Sequence, residues 1–528
     1  MDKIVKNISP ILFLLFFSFN SSAQYLNYRI DGPGSDSPEE VTISINPANT
    51  NILAAGANID HFYFSTNSGK TWGEKHMSST LGVWGDPCIL FDSLGNLYYA
   101  HLSDPISGYW IDRIVVQKST NLGKTWSNGV GIGLNAYPKV QDKEWLAVDL
   151  SQSKFKGNLY VMWTEFDEYG SKLPKDSSRI RFSRSTDQGE TWSNAITVSD
   201  RSGNCLDSDS TTEGAVPTVG PNGEIYVSWA GPLGLMFDKS TDGGVTWGKD
   251  IFVSDIPGGW DFNVSGIYRC NGMPITMCDI SNSIDRGNIY ICWGDQRNGT
   301  SNSDVFFSKS TDGGETWLPA KRVNDDNTTR HQFFPWMTVD QTTGNLWGVF
   351  YDRRNTIGTL TDVYVVRSTD GGETFENIKV SQSSFEPRAS VFFGDYTNIT
   401  AWNKKIYPIW MRLNNDSLSV WTVSILDTSS HRIDNTIPFI PDKYFLYQNY
   451  PNPFNTTTTI SYQLPEEAYV IIKIFDALGN EIKTIFSGFK RAGIHEVDFD
   501  GKYLSSGIYL YRIDAGNFYQ YKKMVLLK

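Results

Sequence analysis

The sequence predicts an all-β chain in which seven repeated four-stranded units precede a small β-sandwich. Three observations lead there. An octet recurs six times: 65–72 (STNSGKTW), 119–126 (STNLGKTW), 185–192 (STDQGETW), 240–247 (STDGGVTW), 310–317 (STDGGETW) and 368–375 (STDGGETF). Successive copies start roughly 54 to 70 residues apart, the spacing of a repeated supersecondary unit with variable loops. Between them, apolar and polar residues alternate with period two and are punctuated by Gly and Asn, with almost no helical period. Past residue 426 that pattern stops and a different strand-rich segment begins.

The octet has a physical logic. Its third position holds Asn67, Asn121, Asp187, Asp242, Asp312 and Asp370. A short amide or carboxylate there accepts backbone N–H groups of its own turn. The glycine at the fifth position takes a positive φ, and the closing Trp or Phe packs on a neighbouring unit. These residues are therefore expected to build the fold, not to react.

Each unit reads as four strands. An upstream strand such as 157–163 (GNLYVMW), 223–229 (GEIYVSW) or 287–293 (GNIYICW) precedes an alternating strand that runs into the octet, and a short outer strand follows. A seventh unit, 392–426, lacks the octet and has only three strands. The missing one resembles 26–32 (LNYRIDG) at the other end. The expected architecture is a seven-bladed β-propeller over 24–426, with the N-terminal strand closing the last blade and removing the open sheet edges. A linker follows at 427–443, then a β-sandwich at 444–528.

Residues 1–23 read as a signal peptide. Lys3 and Lys6 precede the apolar run 11–19, and Ser21, Ser22 and Ala23 offer a cleavage site. No later stretch is long and apolar enough to span a bilayer as a helix. A net charge of −12 argues against a nucleic acid or an anionic membrane as partner, since both need a basic face. Five cysteines in an oxidising compartment permit disulfides, and Cys205 and Cys270, both read as lying in loops that enter inner strands, are the expected pair.

The octets resemble the Asp-box (BNR) repeats of sialidases and other secreted glycan-handling propellers. The tail resembles the type A sorting domain of the type IX secretion system at 447–455 (YQNYPNPFN), 473–481 (KIFDALGNE), 506–511 (SGIYLY) and 522–528 (KKMVLLK). That second resemblance implies Sec export, passage across the outer membrane of a bacterium with the type IX machinery as partner, and release or surface attachment.

Ligand sites in propellers gather near the axis on the face opposite the octet turns. Loops entering the inner strands should bring Glu39, Glu40, Asp86, Asp142, Lys143, Glu144, Glu213, Arg269, Arg330, His331, Asp395 and Tyr396 to that face. Loops joining second and third strands add Glu165, Asp167, Asp295, Arg297, Asp352, Arg353 and Arg354, and Trp145, Trp260 and Trp336 offer stacking faces. Sialidases need an arginine triad, an acid/base and a tyrosine nucleophile. Tyr28-Arg29-Ile30-Asp31 looks like their first-arginine motif, but the strand pattern puts Arg29 at an outer edge. A substitute constellation would use Arg297, Arg353 and Arg388 with Tyr396 and Glu213.

Three functions follow from this face: capture of an extracellular glycan, glycan cleavage by a sialidase, other hydrolase or lyase, or a non-catalytic scaffold for adhesion. The catalytic candidates are Asp352, Arg353, Arg297, Tyr396, Glu213 and His331. The ligand-binding candidates are Asp86, Glu144, Arg269, Asp295, Arg354, Asp395, Trp145 and Trp336. No particular cofactor follows from the sequence. Were an ion held by the acids, calcium is the one expected outside the cell.

Overall fold

The computed structural model describes residues 25–32, 34–35, 38–414, 417–428, 443–449, 451–490 and 493–528. The expected signal peptide and most of the expected linker lie outside the described residues. The chain divides into two compact units, 1–432 and 433–528. Among the described residues all regular structure is β, and no helix is long and apolar enough to cross a membrane.

In the first unit, six antiparallel sheets follow the chain in order, each of four consecutive strands. Their first strands are Thr42–Ile45, Cys88–Phe91, Val140–Val148, Glu213–Val219, Ile275–Cys278 and Gln332–Val339. A seventh sheet starts with Asn398–Trp402, Lys405–Asn414 and Ser417–Val423, and its outer strand is Asn27–Arg29 from the far end of the chain. The register there pairs Asn27 with Val423 and Arg29 with Trp421. Arg29 therefore sits on an outer edge, where its guanidinium lies 2.6 Å from Asp31 Oδ2. First strands of consecutive sheets touch in sequence, and that of the seventh touches that of the first.

The six octets join third to fourth strands and share one set of bonds. In the fifth sheet the Ser310 hydroxyl donates to Asp312 Oδ1 (2.7 Å), and Gly314 N–H donates to Ser310 Oγ (2.8 Å). Thr316 donates to the same carboxylate from its N–H (3.0 Å) and its hydroxyl (2.5 Å). Those bonds, that from the Thr316 hydroxyl first, hold the Asp312 carboxyl down at about 2. In the first sheet Asn67 does the same with its amide oxygen, while its Nδ2 donates to Thr71 Oγ1 (2.8 Å).

The closing aromatic then docks each sheet on the one before. Trp126 meets Phe62 edge-on at 5.1 Å, Trp247 meets Phe182 at 5.0 Å, Trp317 meets Phe237 at 5.1 Å and Phe375 meets Phe307 at 5.2 Å. Gly314 is needed twice over, for its φ of +86° and because a Cβ would run into the Phe237 ring. The first octet packs against the seventh sheet, where a Cβ on Gly69 would stand 3.3 Å from Tyr407.

The second unit has a three-stranded and a four-stranded antiparallel sheet around its own core, which includes Ile460, Ile472, Ile474, Tyr511, Ile513 and Met524.

The expected Cys205–Cys270 disulfide is absent. All five cysteines are free and buried. Cys205 belongs to the core of the second and third sheets. Cys270 lies instead in a short hairpin, Asp261–Phe262 with Cys270–Asn271, that touches the first strand of the sixth sheet. This inserted hairpin has no counterpart in the repeat, so the repeat pattern misplaces Cys270.

Candidate functional site

The chain enters its inner strands through an unusual backbone. Glu40, Asp86, Lys143 and Phe334 all have φ near +50°, and Gly214 and Gly394 occupy corresponding entrances with φ of +79° and +81°. Register shifts follow at Asp142/Trp145, Glu213/Val216 and Phe333/Trp336. Such bulges re-aim side chains, and a left-handed conformation in a non-glycine residue costs about 1–3 kcal/mol unless its surroundings enforce it. Three of the four strained residues are ionisable and meet one another.

Lys143 is the hub. Its Nζ lies 2.6 Å from Asp395 Oδ2, 3.4 Å from Glu40 Oε1 and 3.6 Å from Asp86 Oδ2. Arg269 grips Asp395 from the other side, with Nε 3.0 Å from Oδ1, and its Nη1 reaches Asp207 Oδ2 at 3.0 Å. Tyr169 donates to that same Asp207 oxygen at 2.6 Å, and Asn271 Nδ2 donates to the Asp395 carbonyl at 3.0 Å. The first, second, third, fourth and seventh sheets contribute acids to one buried network.

Two of those acids have no partner. Glu144 and Glu213 are 1% and 0% exposed, and neither oxygen of either carboxyl makes a hydrogen bond. An ion left so would cost several kcal/mol, so the proton stays on. Burial first, then Asp86 for Glu144 and Asp207 for Glu213, pushes both carboxyls well above their ordinary range. Glu40 behaves likewise, and burial lifts Asp142 to about 7. Asp395 goes the other way: burial pushes it up, but Lys143 and Arg269 together outweigh that and hold it below the usual range. Asp86 is also held low, by Lys143 against burial. Neutral and ionised carboxyls thus stand side by side.

Beside them is an aromatic wall. The rings of Trp145 and Trp336 are 4.4 Å apart, and Tyr396 is 5.9 Å from each. These three, with Asp86, Lys143, Glu144 and Asp395, line a cavity of about 50 Å³ to which Val216, Met273 and Phe334 add apolar lining. Trp260 presents no face here, because it is buried in the core of the fourth and fifth sheets.

The other expected residues are employed elsewhere. Arg297 is clamped by Asp295 at 2.9 and 3.0 Å and covers the Phe306 ring at 4.3 Å. Arg354 is held by Asp352 at 2.8 Å, by Asn377 at 2.8 Å and by Asp325, over the Tyr364 ring. Arg353 is buried over Phe333, donating to Thr361 Oγ1 (3.1 Å) and the Ser265 carbonyl (2.8 Å). His331 Nδ1 lies 3.0 Å from Ser303 Oγ, and burial beside Arg353 lowers it to about 4. The expected convergence of Arg297 and Arg353 with Glu213 and Tyr396 is therefore not what the structure shows. A signal was present in the sequence: in GDQRN and YDRRN the arginine two residues on is the one its aspartate captures, through its N–H and its guanidinium. Asp207, by contrast, carries no mark in the repeat.

No three of the axial acids bring ligand atoms within 4.8 Å of one another. Among the described residues only Asp60, His61 and His76 do so.

Residues 157–432 match the model of the BNR repeat-like domain. Residues 448–527 match the secretion system C-terminal sorting domain, which ties the chain to type IX secretion and to delivery outside the cell or to its surface. No curated protein matches. Among solved structures, a Hadza microbial sialidase is 16% identical, with 71% of this chain and 73% of that one covered and a TM-score of 0.39. An α-L-arabinofuranosidase from Fusarium graminearum is 14% identical over 64% and 92% of the two chains, TM-score 0.43. Penicillium chrysogenum α-L-arabinanase is 14% identical over 75% and 97%, TM-score 0.41.

Proposed function

Because the chain belongs to the family of BNR repeat-like domains, we propose that it is an exported seven-bladed propeller that captures a neutral extracellular glycan at the mouth of its axis. The blade count rests on six four-stranded sheets and a seventh of five strands, whose first strands touch in cyclic order. The ligand reading rests on one observation: an unpartnered, fully buried carboxyl, Glu144, lines the same cavity as the Trp145–Trp336–Tyr396 wall. A protonated carboxyl donates and accepts at once, which suits a sugar hydroxyl, and aromatic faces take the apolar face of a sugar ring. A cavity of about 50 Å³ admits one substituent of the sugar while the ring lies over the mouth. An acidic sugar would need free guanidinium forks, and Arg297 and Arg354 are already paired within their own loops.

Cleavage is a second reading, favoured by the split between Glu144, which keeps its proton, and Asp86, which loses it. An acid and a base of opposite protonation are what glycoside hydrolysis uses. The test is an oligosaccharide array with the mature protein, followed by a reducing-end assay on whatever binds. Binding of neutral glycans that falls at least tenfold in Trp145→Ala and Glu144→Gln is expected. Capture of acidic glycans abolished by Arg297→Ala would overturn the neutral reading. A folded protein that binds nothing on the array would favour the scaffold.

A further inference from the structure

We propose that Asp60, His61 and His76 form a transition-metal site on the outer part of the first sheet, at the seam where the ring closes. One ligand atom from each lies within 4.8 Å of the other two. The arrangement follows from the register: His61 opens the third strand of that sheet, His76 ends the fourth, and the two are direct cross-strand partners. Their rings are 5.0 Å apart, and Asp60 precedes His61 in the turn. Two imidazoles and one carboxylate suit Zn²⁺, Cu²⁺ or Ni²⁺, whereas calcium and magnesium prefer all-oxygen sets.

One ring is oriented by a carboxylate outside the triad, and the other two ligands are held against each other. His61 Nδ1 is 2.9 Å from Glu74 Oε1, and His76 Nδ1 is 2.8 Å from Asp60 Oδ1. A carboxylate behind a ligating histidine fixes the ring and raises its basicity. Glu74 is anchored in turn: Gly32 N–H and the Ser35 hydroxyl each donate to it at 2.9 Å. Gly32 and Ser35 lie just beyond Asn27–Arg29, the strand that completes the seventh sheet. His61 is buried, while the His76 side chain is 61% exposed, so solvent can deliver an ion to a preformed inner ligand. An ion there would tie the first sheet to the segment that closes the ring. The site is separate from the axial mouth, so its fate does not depend on the glycan reading.

The experiment uses the full mature chain, stripped with a chelator. Titration with Co²⁺ alone should give a visible d–d absorption that saturates at one equivalent. Zn²⁺ alone should displace it and raise Tm by about 2–4 °C at saturation. Both effects should vanish in His76→Ala, an exposed change that leaves the fold intact by circular dichroism, and weaken at least tenfold in Asp60→Asn. A parent protein with no Co²⁺ absorption and no Zn²⁺-dependent shift overturns the site, and so does undiminished binding in His76→Ala.

Discussion

Lys143 and Asp395 stand 252 residues apart in the sequence and 2.6 Å apart in the structure, joining the third sheet to the seventh across the mouth of the ring. Each depends on the other. Lys143 adopts a left-handed backbone to get there, and Asp395 keeps its charge in a buried place because Lys143 and Arg269 face it.

Removing that ammonium should therefore be costly in a pH-dependent way. Lys143→Met leaves Asp395 and Asp86 short of one counter-charge, and breaking a buried pair costs about 3–5 kcal/mol. Asp395 and Asp86 have folded pKa values below their unfolded ones, so their stabilising contribution is present above about pH 4 and lost as pH falls. The deficit of the variant should be largest at pH 8, where both carboxylates are ionised, and should shrink as pH falls from about 4 towards about 2. Urea unfolding at both ends reads it, and an equal deficit at each would refute the role.

Glu144 and Glu213 should show the opposite slope. Their folded pKa values are raised, so the native state holds protons that the unfolded chain has released. Each group then lowers stability by about 1.4 kcal/mol per pH unit above about pH 4.5. Glu144→Gln removes one such slope without changing shape. Its Tm, measured against the parent from pH 5 to pH 8, should gain with rising pH. A constant difference would mean that Glu144 is ionised in the fold.

Within an octet, the glycine should matter more than the carboxylate. Asp312→Ala loses bonds inside one exposed turn and should cost about 1 kcal/mol. Gly314→Ala forces a left-handed alanine into the Phe237 ring, breaking the dock between the fourth and fifth sheets. It should cost more, about 2–4 kcal/mol. Chemical denaturation of the two variants side by side tests this order.

The thiols should behave as five buried, unpaired groups. Burial holds the Cys270 thiol well above its ordinary range, so it is a poor nucleophile. Alkylation should be slow in the native protein and complete after unfolding, and a reductant should leave Tm unchanged. Recovery of a cross-linked peptide containing Cys205 and Cys270 would contradict the structure.

What could be read directly was local. A serine, a carboxylate, a glycine and a threonine within seven residues make their bonds to one another, so the octet specifies its turn wherever it stands. Period-two strands and the motifs of the tail are equally short-range. Even the neutralised arginines were within reach, since Asp295–Arg297 and Asp352–Arg354 are only two residues apart.

The axial site is of another kind. Asp86, Glu144, Glu213 and Asp395 could be named as belonging to one face because each begins an inner strand. Which keep their protons, and that Lys143 is their hub, depends on distances between sheets far apart in the chain. Asp207 reaches the network from an irregular loop with no repeat to index it. The sequence alone thus determined the repeating turns, the strands and the sorting tail, because their hydrogen bonds span a few residues. Ring closure alone decided the charge state of the mouth, because burial and the distance to Lys143 exist only once the seventh sheet meets the first.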